Sequence, residues 1–406
     1  MVGGRQERGG APLHCFILAC WGKDNDFFEN HTKFADLKTF LNFANQSASH
    51  HCFMVKTSEM KRNSIFTLLS LLLAPLLVSW IADPLLGKEG YEVETVSQPN
   101  DYSGEVVSTV IRRLPEGKRP RKAVLYVHGY NDYFFQDSMG REFNDSGYGF
   151  YAVDLRKYGR TLLPGQRRYE ARDMSEYFAD IDSAIARMRR DSVTDIVLMG
   201  HSTGGLITSL YMEDHPAPEI KALILNSPFL DWNFTGFIRN AAIPLAAAAG
   251  KWFPDIEMSQ GDDSAYGESL LKSKHGEWEF DTTLKLLHPA PISLGWVRAI
   301  DQGQKRLIKN GRAIKVPVFL MRSRRSVHPD GWSPLANSGD AVLNVDSISA
   351  RGRRLGHNVT EAIVDSGLHD LVLSRPRVRR AVYESMFRWL RRQPEFVTAG
   401  GISGRE

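Results

Sequence analysis

Apolar and polar positions along this chain follow a pattern of short buried strands separated by helices. The apolar runs predict strands over residues 91–96, 106–112, 123–127, 150–153, 196–199, 222–225, 316–321 and 360–364. Between them, residues 173–190 show the 3.6-residue period of an amphipathic helix, and residues 381–390 predict a closing helix. Strands that alternate with helices in this way predict an α/β fold, with a mostly parallel sheet covered by helices on both faces.

The alternation is interrupted between residues 231 and 302, where four tryptophans and an alanine-rich run occur. We interpret this stretch as a helical cap inserted after a strand of the sheet, where it would shape an apolar pocket. The sheet and its cap together define a predicted domain over residues 83–395, followed by a tail over 396–406.

Residues 1–60 show no clear period and predict a poorly ordered extension. Residues 61–82 form a hydrophobic segment in which positions 64–82 carry no charge, with apolar side chains on every side of a helical wheel. Three interpretations remain open: a membrane anchor, an export signal if translation starts at Met60, or a helix packed on the body. The first two would make the protein membrane-associated or exported, and the third would leave it cytoplasmic.

Composition narrows the function classes. The 406 residues are 42% hydrophobic with a net charge of +4. The sequence contains no stripe of alternating basic and aromatic residues, so we expect no nucleic-acid partner. The three cysteines all lie within the first 60 residues, so the predicted domain contains no thiol nucleophile and needs no disulfide. Their spacing does not match a metal site, and we expect neither a metal nor a cofactor.

The most informative segment is Gly-His-Ser-Thr-Gly, which directly follows the apolar run 196–199 and precedes a helical pattern. A strand, a Gly-x-Ser-x-Gly turn and a helix form a nucleophile elbow, in which a strained turn exposes the serine hydroxyl. The segment therefore predicts Ser202 as a nucleophile.

A serine nucleophile requires a histidine base and a carboxylate that orients it, and after this elbow the acid precedes the histidine in the chain. His369 fits best among the six later histidines, because it follows the strand 360–364 and precedes the closing helix. For the acid we favour Asp340, which follows a turn glycine, with Asp330 and Asp346 as alternatives.

Two backbone N–H groups are expected to form the oxyanion hole. One is that of Thr203, the residue after the nucleophile, and the other is that of Tyr130 in the loop after strand 123–127. His128 and His201 are expected to be structural, and Asp154 is expected to pair with Arg156 or with nearby backbone.

In combination these motifs resemble the α/β-hydrolase superfamily, and within it the branch of monoacylglycerol lipases, lysophospholipases and serine aminopeptidase-like enzymes. The matching pieces are His-Gly-Tyr-Asn-Asp (128–132), Asp-Leu-Arg-Lys-Tyr-Gly-Arg (154–160), Gly-His-Ser-Thr-Gly-Gly (200–205) and Gly-Leu-His-Asp (367–370). The resemblance covers about residues 80–393 and implies the α/β-hydrolase fold. One departure is that Asp340 lies much farther beyond its strand than the acid of this branch usually does.

The resemblance implies a serine hydrolase that cleaves carboxylic esters of the acyl-glycerol or lysophospholipid type through an acyl-enzyme. An aminopeptidase is an alternative, with Glu257, Asp262 or Asp263 of the cap to hold the substrate amine. A second alternative is a hydrolase-like binding protein without catalysis. The expected partner is a small acyl ester or lipid, with membrane association possible through residues 64–82.

Overall fold

The computed structural model describes residues 90–117, 119–215, 217–260, 264–329 and 331–396. The chain divides into two compact units, Met1–Asp83 and Pro84–Glu406, and all the described residues belong to the second. The predicted extension 1–60 and hydrophobic segment 61–82 lie outside the described residues, as do Asp330, Asp262 and Asp263. Within the described residues, no helix has the length and apolar character needed to traverse a bilayer.

Ten strands are present among the described residues, and eight of them form the central sheet. They are β1 Tyr91–Asp101, β2 Gly104–Arg113, β3 Lys122–Val127, β4 Gly149–Asp154, β5 Asp195–His201, β6 Ile220–Asn226, β7 Glu257–Met258, β8 Ile292–Ser293, β9 Val318–Ser323 and β10 Val359–Val364.

The large sheet has the order β1-β2-β4-β3-β5-β6-β9-β10, while β7 and β8 form a separate two-stranded ladder. The pairs β1/β2 and β2/β4 are antiparallel, and every other neighbouring pair is parallel. The predicted α/β fold with a mostly parallel sheet is confirmed. The central strands β3, β5 and β6 are buried along almost their whole length, which is why they appear in the sequence as continuous apolar runs.

Eight α-helices accompany the strands in the described part of the chain. They are α1 Asp137–Asp145, α2 Phe178–Arg190, α3 Thr203–Asp214, α4 Ile243–Ala249, α5 Ala265–Leu270, α6 Leu294–Asn310, α7 Val345–Gly352 and α8 Pro376–Leu390. Short 3₁₀ turns and one π turn complete the helical elements, at Gly159–Thr161, Met174–Tyr177, Ile238–Ala242, Pro334–Asn337, Leu371–Leu373 and Pro394–Phe396.

The chain between β6 and β9 carries the additional elements that interrupt the alternation. It contains α4, α5 and the β7/β8 ladder, and then α6, which packs against both α4 and α3. The predicted limit of the cap at residue 302 falls inside α6. We therefore use the name cap segment for residues 227–293, which precede this helix.

Candidate active site

Ser202 lies on the turn between β5 and α3, in a conformation that few residues other than glycine adopt. Its backbone has φ 52° and ψ −118°, and 7% of the residue is exposed. The backbone strain requires close packing around the turn. Gly204 illustrates this packing, because a Cβ atom there would lie 2.3 Å from the carbonyl oxygen of His128. The glycines of the Gly-x-Ser-x-Gly motif thus allow the helix to start directly against β3.

His369 and Asp340 form a buried hydrogen-bonded pair. Nδ1 of His369 lies 3.0 Å from Oδ2 of Asp340, and the two residues are 3% and 0% exposed. The other carboxylate oxygen of Asp340 accepts hydrogen bonds from the backbone N–H groups of Val342 at 2.9 Å and Leu343 at 2.8 Å. The carboxylate is therefore fixed by the backbone on one side and orients the imidazole on the other.

The position of Asp340 depends on an excursion of the chain after β9. The chain leaves the sheet after Ser326 and returns at Asp340, which forms a β-bridge with Ser326 close to the end of β9. The bridge is made by the Val327 N–H donating to the Asp340 carbonyl at 2.8 Å and the Asp340 N–H donating to the Arg325 carbonyl at 3.0 Å. The acid is far from its strand in sequence but adjacent to it in space.

The alternative acids are placed differently. Asp346 lies in the first turn of α7 and is exposed, while Asp330 lies outside the described residues.

Asp154 at the end of β4 pairs with Arg160 at 2.5 Å and accepts a hydrogen bond from the Phe134 N–H at 2.8 Å. The expected backbone partner is present, but the suggested pairing with Arg156 is wrong, because Arg156 instead binds Asp180 at 2.7 Å.

Among the six histidines that follow Ser202, His369 alone is buried. The other five, His215, His275, His288, His328 and His357, are all exposed.

His128 holds the loop after β3 in place. Its Nε2 accepts a hydrogen bond from the Leu155 N–H at 3.0 Å, and its Nδ1 lies 2.8 Å from the Gly129 carbonyl oxygen.

The two residues whose backbone N–H groups are expected to form an oxyanion hole lie on different elements near Ser202. Thr203 occupies the first position of α3, where a helix leaves its N–H without an intrahelical partner. The loop after β3 comes so close that a Cβ on Gly129 would lie 3.0 Å from Cβ of Ser202. The next residue is Tyr130, and within the described residues its N–H and that of Thr203 donate no hydrogen bond. Both N–H groups therefore stay candidates for the expected oxyanion hole.

A second buried cluster, which the sequence did not disclose, lies beside His369. Side-chain ligand atoms of Asp132, His201 and Asp370 lie within 4.8 Å of one another, and the ring of His201 is 4.8 Å from that of His369. Burial lowers the pKa of His201, which favours its neutral form. Three such residues could hold a metal ion, but Lys285 already supplies a positive charge, with Nζ 3.0 Å from Asp132.

A series of aromatic side chains connects the elbow with the loop after β3. The Phe229 N–H donates to the Ser202 carbonyl at 2.9 Å, and its ring lies 5.3 Å from that of Trp232. Trp296 continues the series, 6.4 Å from Trp232 and 5.2 Å from Tyr130. These rings, which we call the aromatic wall, form a largely buried apolar cluster that is joined to Ser202 through the backbone of Phe229.

Residues 129–133 are named the oxyanion loop after the role expected of the Tyr130 N–H, and several hydrogen bonds attach them to the cap segment. The Asn131 side chain donates to the Leu286 carbonyl at 2.7 Å and accepts from the Leu286 N–H at 2.9 Å. The Tyr133 hydroxyl accepts from the Asp281 N–H at 2.9 Å. These contacts join residues that are far apart in sequence, so no local pattern could have predicted them.

The sheet order, the elbow between β5 and α3 and the histidine after β10 define an α/β-hydrolase of the monoacylglycerol lipase and lysophospholipase branch. Comparison with known proteins gives the narrower assignment. Residues 118–326 match the family described as "Serine aminopeptidase, S33", and the chain belongs to that family.

Individual relatives support the same branch. The chain is 24% identical over 211 residues to Phospholipase YtpA of Bacillus subtilis, an alignment that covers 50% of this chain and 76% of the relative. It is 30% identical to the AB hydrolase superfamily protein YisY of the same organism, covering 55% of this chain and 86% of the relative. A soluble variant of monoglyceride lipase from Saccharomyces cerevisiae shares the fold, with a TM-score of 0.54, 17% identity and coverage of 73% and 95%. The chain is thus a hydrolase with lipase and phospholipase relatives.

Proposed function

We propose that this protein is a serine hydrolase that cleaves carboxylic esters, with Ser202, His369 and Asp340 as its catalytic triad. The observation that carries the proposal is the buried hydrogen bond of 3.0 Å between His369 and Asp340. The ring of His369 lies 4.8 Å from that of His201, the residue that directly precedes Ser202 on the strained elbow. An imidazole whose Nδ1–H is held by a carboxylate keeps Nε2 free to accept a proton from a serine hydroxyl.

In the acylation step, Nε2 of His369 takes the proton of Ser202 as Oγ attacks the ester carbonyl carbon. Asp340 stabilises the imidazolium that results, and the N–H groups of Tyr130 and Thr203 donate to the developing oxyanion. The tetrahedral intermediate collapses, the C–O bond to the alcohol breaks, and the imidazolium returns its proton to that alcohol. Ser202 then carries the acyl group as an ester.

In the deacylation step, a water molecule loses a proton to the neutral imidazole and attacks the acyl carbonyl. The same two N–H groups stabilise the second oxyanion, and the proton returns to Oγ of Ser202 as the acid is released. No step requires a metal or a cofactor.

The aromatic wall supports an apolar acyl group as the part of the substrate that binds beside Ser202, since the wall can bury a hydrocarbon chain but offers few polar groups. The names of two relatives, a phospholipase and a monoglyceride lipase, point the same way. We therefore propose acyl-glycerols or lysophospholipids as the substrate class.

The test is hydrolysis of p-nitrophenyl esters of increasing acyl length by the wild type and by Ser202→Ala. Ser192→Ala is the matched control, because Ser192 also has a positive φ of 66° but lies exposed on a turn after α2. We expect Ser202→Ala to lose turnover and labelling by a fluorophosphonate probe while Ser192→Ala keeps both. Turnover retained by Ser202→Ala would refute the proposal, and an unlabelled, inactive wild type would favour a binding protein.

The family description makes an aminopeptidase the second candidate. Such an enzyme needs a carboxylate that is free to bind the substrate amine. The buried carboxylate of Asp132 is already paired with Lys285, and Glu257 is exposed on the short strand β7. We therefore rank esterase activity first, and turnover of amino-acyl p-nitroanilides in preference to acyl esters would reverse this order.

A further inference from the structure

Lys285 of the cap segment is a lysine buried next to the proposed active site. It is 6% exposed, and its Nζ lies 3.0 Å from Oδ1 of Asp132, which is 2% exposed. The same ammonium approaches the Asn131 carbonyl oxygen at 3.4 Å. In the described part of the chain, Lys285 is the only cation paired with Asp132.

A buried ion pair of this kind is a poor source of stability. Removing an ammonium and a carboxylate from water costs several kcal/mol for each ion, and a well-packed apolar pair often stabilises a protein as much or more. The reason for this pair is therefore to be sought in the site that it adjoins.

One consequence of the pair is positional. Asp132 belongs to the oxyanion loop, whose neighbouring residues Asn131 and Tyr133 are hydrogen-bonded to Leu286 and Asp281 of the cap segment. Lys285 lies between these two attachment points in sequence. It therefore completes a continuous contact that fixes the backbone carrying the Tyr130 N–H.

A second consequence is electrostatic. Without the ammonium, the carboxylates of Asp132 and Asp370 would lie beside the rings of His201 and His369 with no cation among them. The ring of Tyr266 is close to both residues: its centroid lies 6.0 Å from Nζ of Lys285 and 5.5 Å from the imidazole ring of His369. The titratable groups that face His369 are Asp340 after β9, His201 on the elbow, Asp370 on its own loop, Tyr266 on α5, and the Asp132–Lys285 pair.

We propose that Lys285 is a positioning residue for the hydrolase reaction: it holds the oxyanion loop in place through Asp132 and offsets the negative charge beside the His201–His369 pair. This inference rests on the proposed function, since it assigns Lys285 to the same site. It also makes docking of the cap segment a condition for full activity.

The first test is Lys285→Met, which keeps the length and apolar stem of the side chain but removes the charge. We expect kcat for a p-nitrophenyl ester to fall by about tenfold to a hundredfold with little change in KM, because the Tyr130 N–H is displaced from the oxyanion. We also expect the acid limb of the pH–rate profile to move to higher pH by about one unit, because an unpaired carboxylate favours the protonated imidazole.

The sign of the pH shift gives the sharper test. Asp132→Asn leaves the ammonium without its carboxylate, so the acid limb is expected to move to lower pH. The double variant Lys285→Met/Asp132→Asn removes both charges and is expected to return the limb to the wild-type position. If Lys285→Met fails to fold, Asp132→Asn and the double variant still test the proposal.

Lys272→Met is the matched control, because Lys272 forms an exposed pair with Glu279 at 2.7 Å in the same cap segment. All rates are divided by the concentration of active sites, which is measured by titration with a fluorophosphonate. Lys285 variants that lose thermal stability but keep kcat and the pH profile would overturn the inference and leave Lys285 a structural residue. If Ser202→Ala keeps activity, the proposed function itself fails, whatever the Lys285 variants do.

Discussion

Asp340 accepts hydrogen bonds with both carboxylate oxygens, so this position requires a side chain with two acceptor atoms. Oδ1 accepts from two backbone N–H groups while Oδ2 accepts from Nδ1 of His369. An asparagine could satisfy the backbone donors with its carbonyl oxygen, but its NH₂ group would then face Nδ1 of the imidazole. The ring would be forced into the tautomer in which Nε2 carries the proton and cannot accept one.

We therefore predict that Asp340→Asn lowers kcat by about 10⁴-fold while the protein stays folded, the magnitude seen when the wrong tautomer is imposed on a serine–histidine–aspartate triad. Asp346→Asn, at the exposed first turn of α7, is expected to leave kcat unchanged. Steady-state kinetics on one ester, with circular dichroism to verify folding, makes the comparison. A loss of less than tenfold for Asp340→Asn would show that another residue orients His369.

The residues of this site differ in how far local sequence reveals them. Ser202 could be proposed from sequence because strand, turn and helix are contiguous, and His369 because it follows the last strand. Asp340 required a choice among three carboxylates, since a β-bridge formed after a long excursion brings it back to Ser326. Lys285 could not be predicted, because its partner Asp132 is 153 positions away and nothing in its neighbourhood distinguishes it from a surface lysine.

At the scale of an element, β10 is the edge strand that leads to the loop of His369. It is attached to β9 by a parallel ladder and by an ion pair of 2.6 Å between Glu361 and Arg322, both of whose side chains are largely buried. Burial alone would raise the pKa of Glu361, but hydrogen bonds from Arg322 and Arg353 outweigh it, and the net shift is downward.

A carboxylate whose pKa is lower in the folded state than in the unfolded state stabilises the fold above the unfolded pKa and loses this effect as the pH falls through the folded pKa. We predict that Glu361→Gln destabilises the protein by about 1–3 kcal/mol at neutral pH, because Arg322 is left without its anion. The variant should also lose less stability than the wild type on acidification below about pH 4.5.

Urea unfolding at pH 7 and at pH 4 measures both effects. Glu384→Gln, at an exposed position of α8, is the control and is expected to behave as the wild type at both pH values. Equal stability of Glu361→Gln and the wild type at pH 7 would show that the ion pair contributes nothing to the attachment of β10.

The strand and helix order was predictable because each element carries its own periodicity, and the parallel sheet follows from that order. The limits of the cap were harder to predict, since α6 is as apolar on its buried face as the segment before it. The direction of β2, which runs antiparallel to both of its neighbours β1 and β4, could not be obtained from periodicity, because an alternating strand has the same pattern in either direction.

At the scale of the whole molecule, every residue assigned to the site lies in the second of the two compact units. We predict that a chain consisting of Pro84–Glu406 folds and hydrolyses esters with a kcat/KM within about twofold of the full chain, as expected when a domain contains its own core. Parallel kinetics on purified full-length and truncated protein provide the measurement. A large loss on truncation would mean that the first unit takes part in the site.

The bridge between Ser326 and Asp340 has a further consequence for how this scaffold can change. Because the chain on the two sides of the loop is hydrogen-bonded through Ser326 and Asp340, the carboxylate of Asp340 is positioned by the closure of the loop and not by its length. We therefore expect the loop to accept an insertion at its exposed position Gly331, where an added Cβ atom would meet no other atom within 4 Å. A tag, a binding peptide or a small domain grafted there is expected to leave the bridge between Ser326 and Asp340, and with it the hydrogen bond between Asp340 and His369, in place.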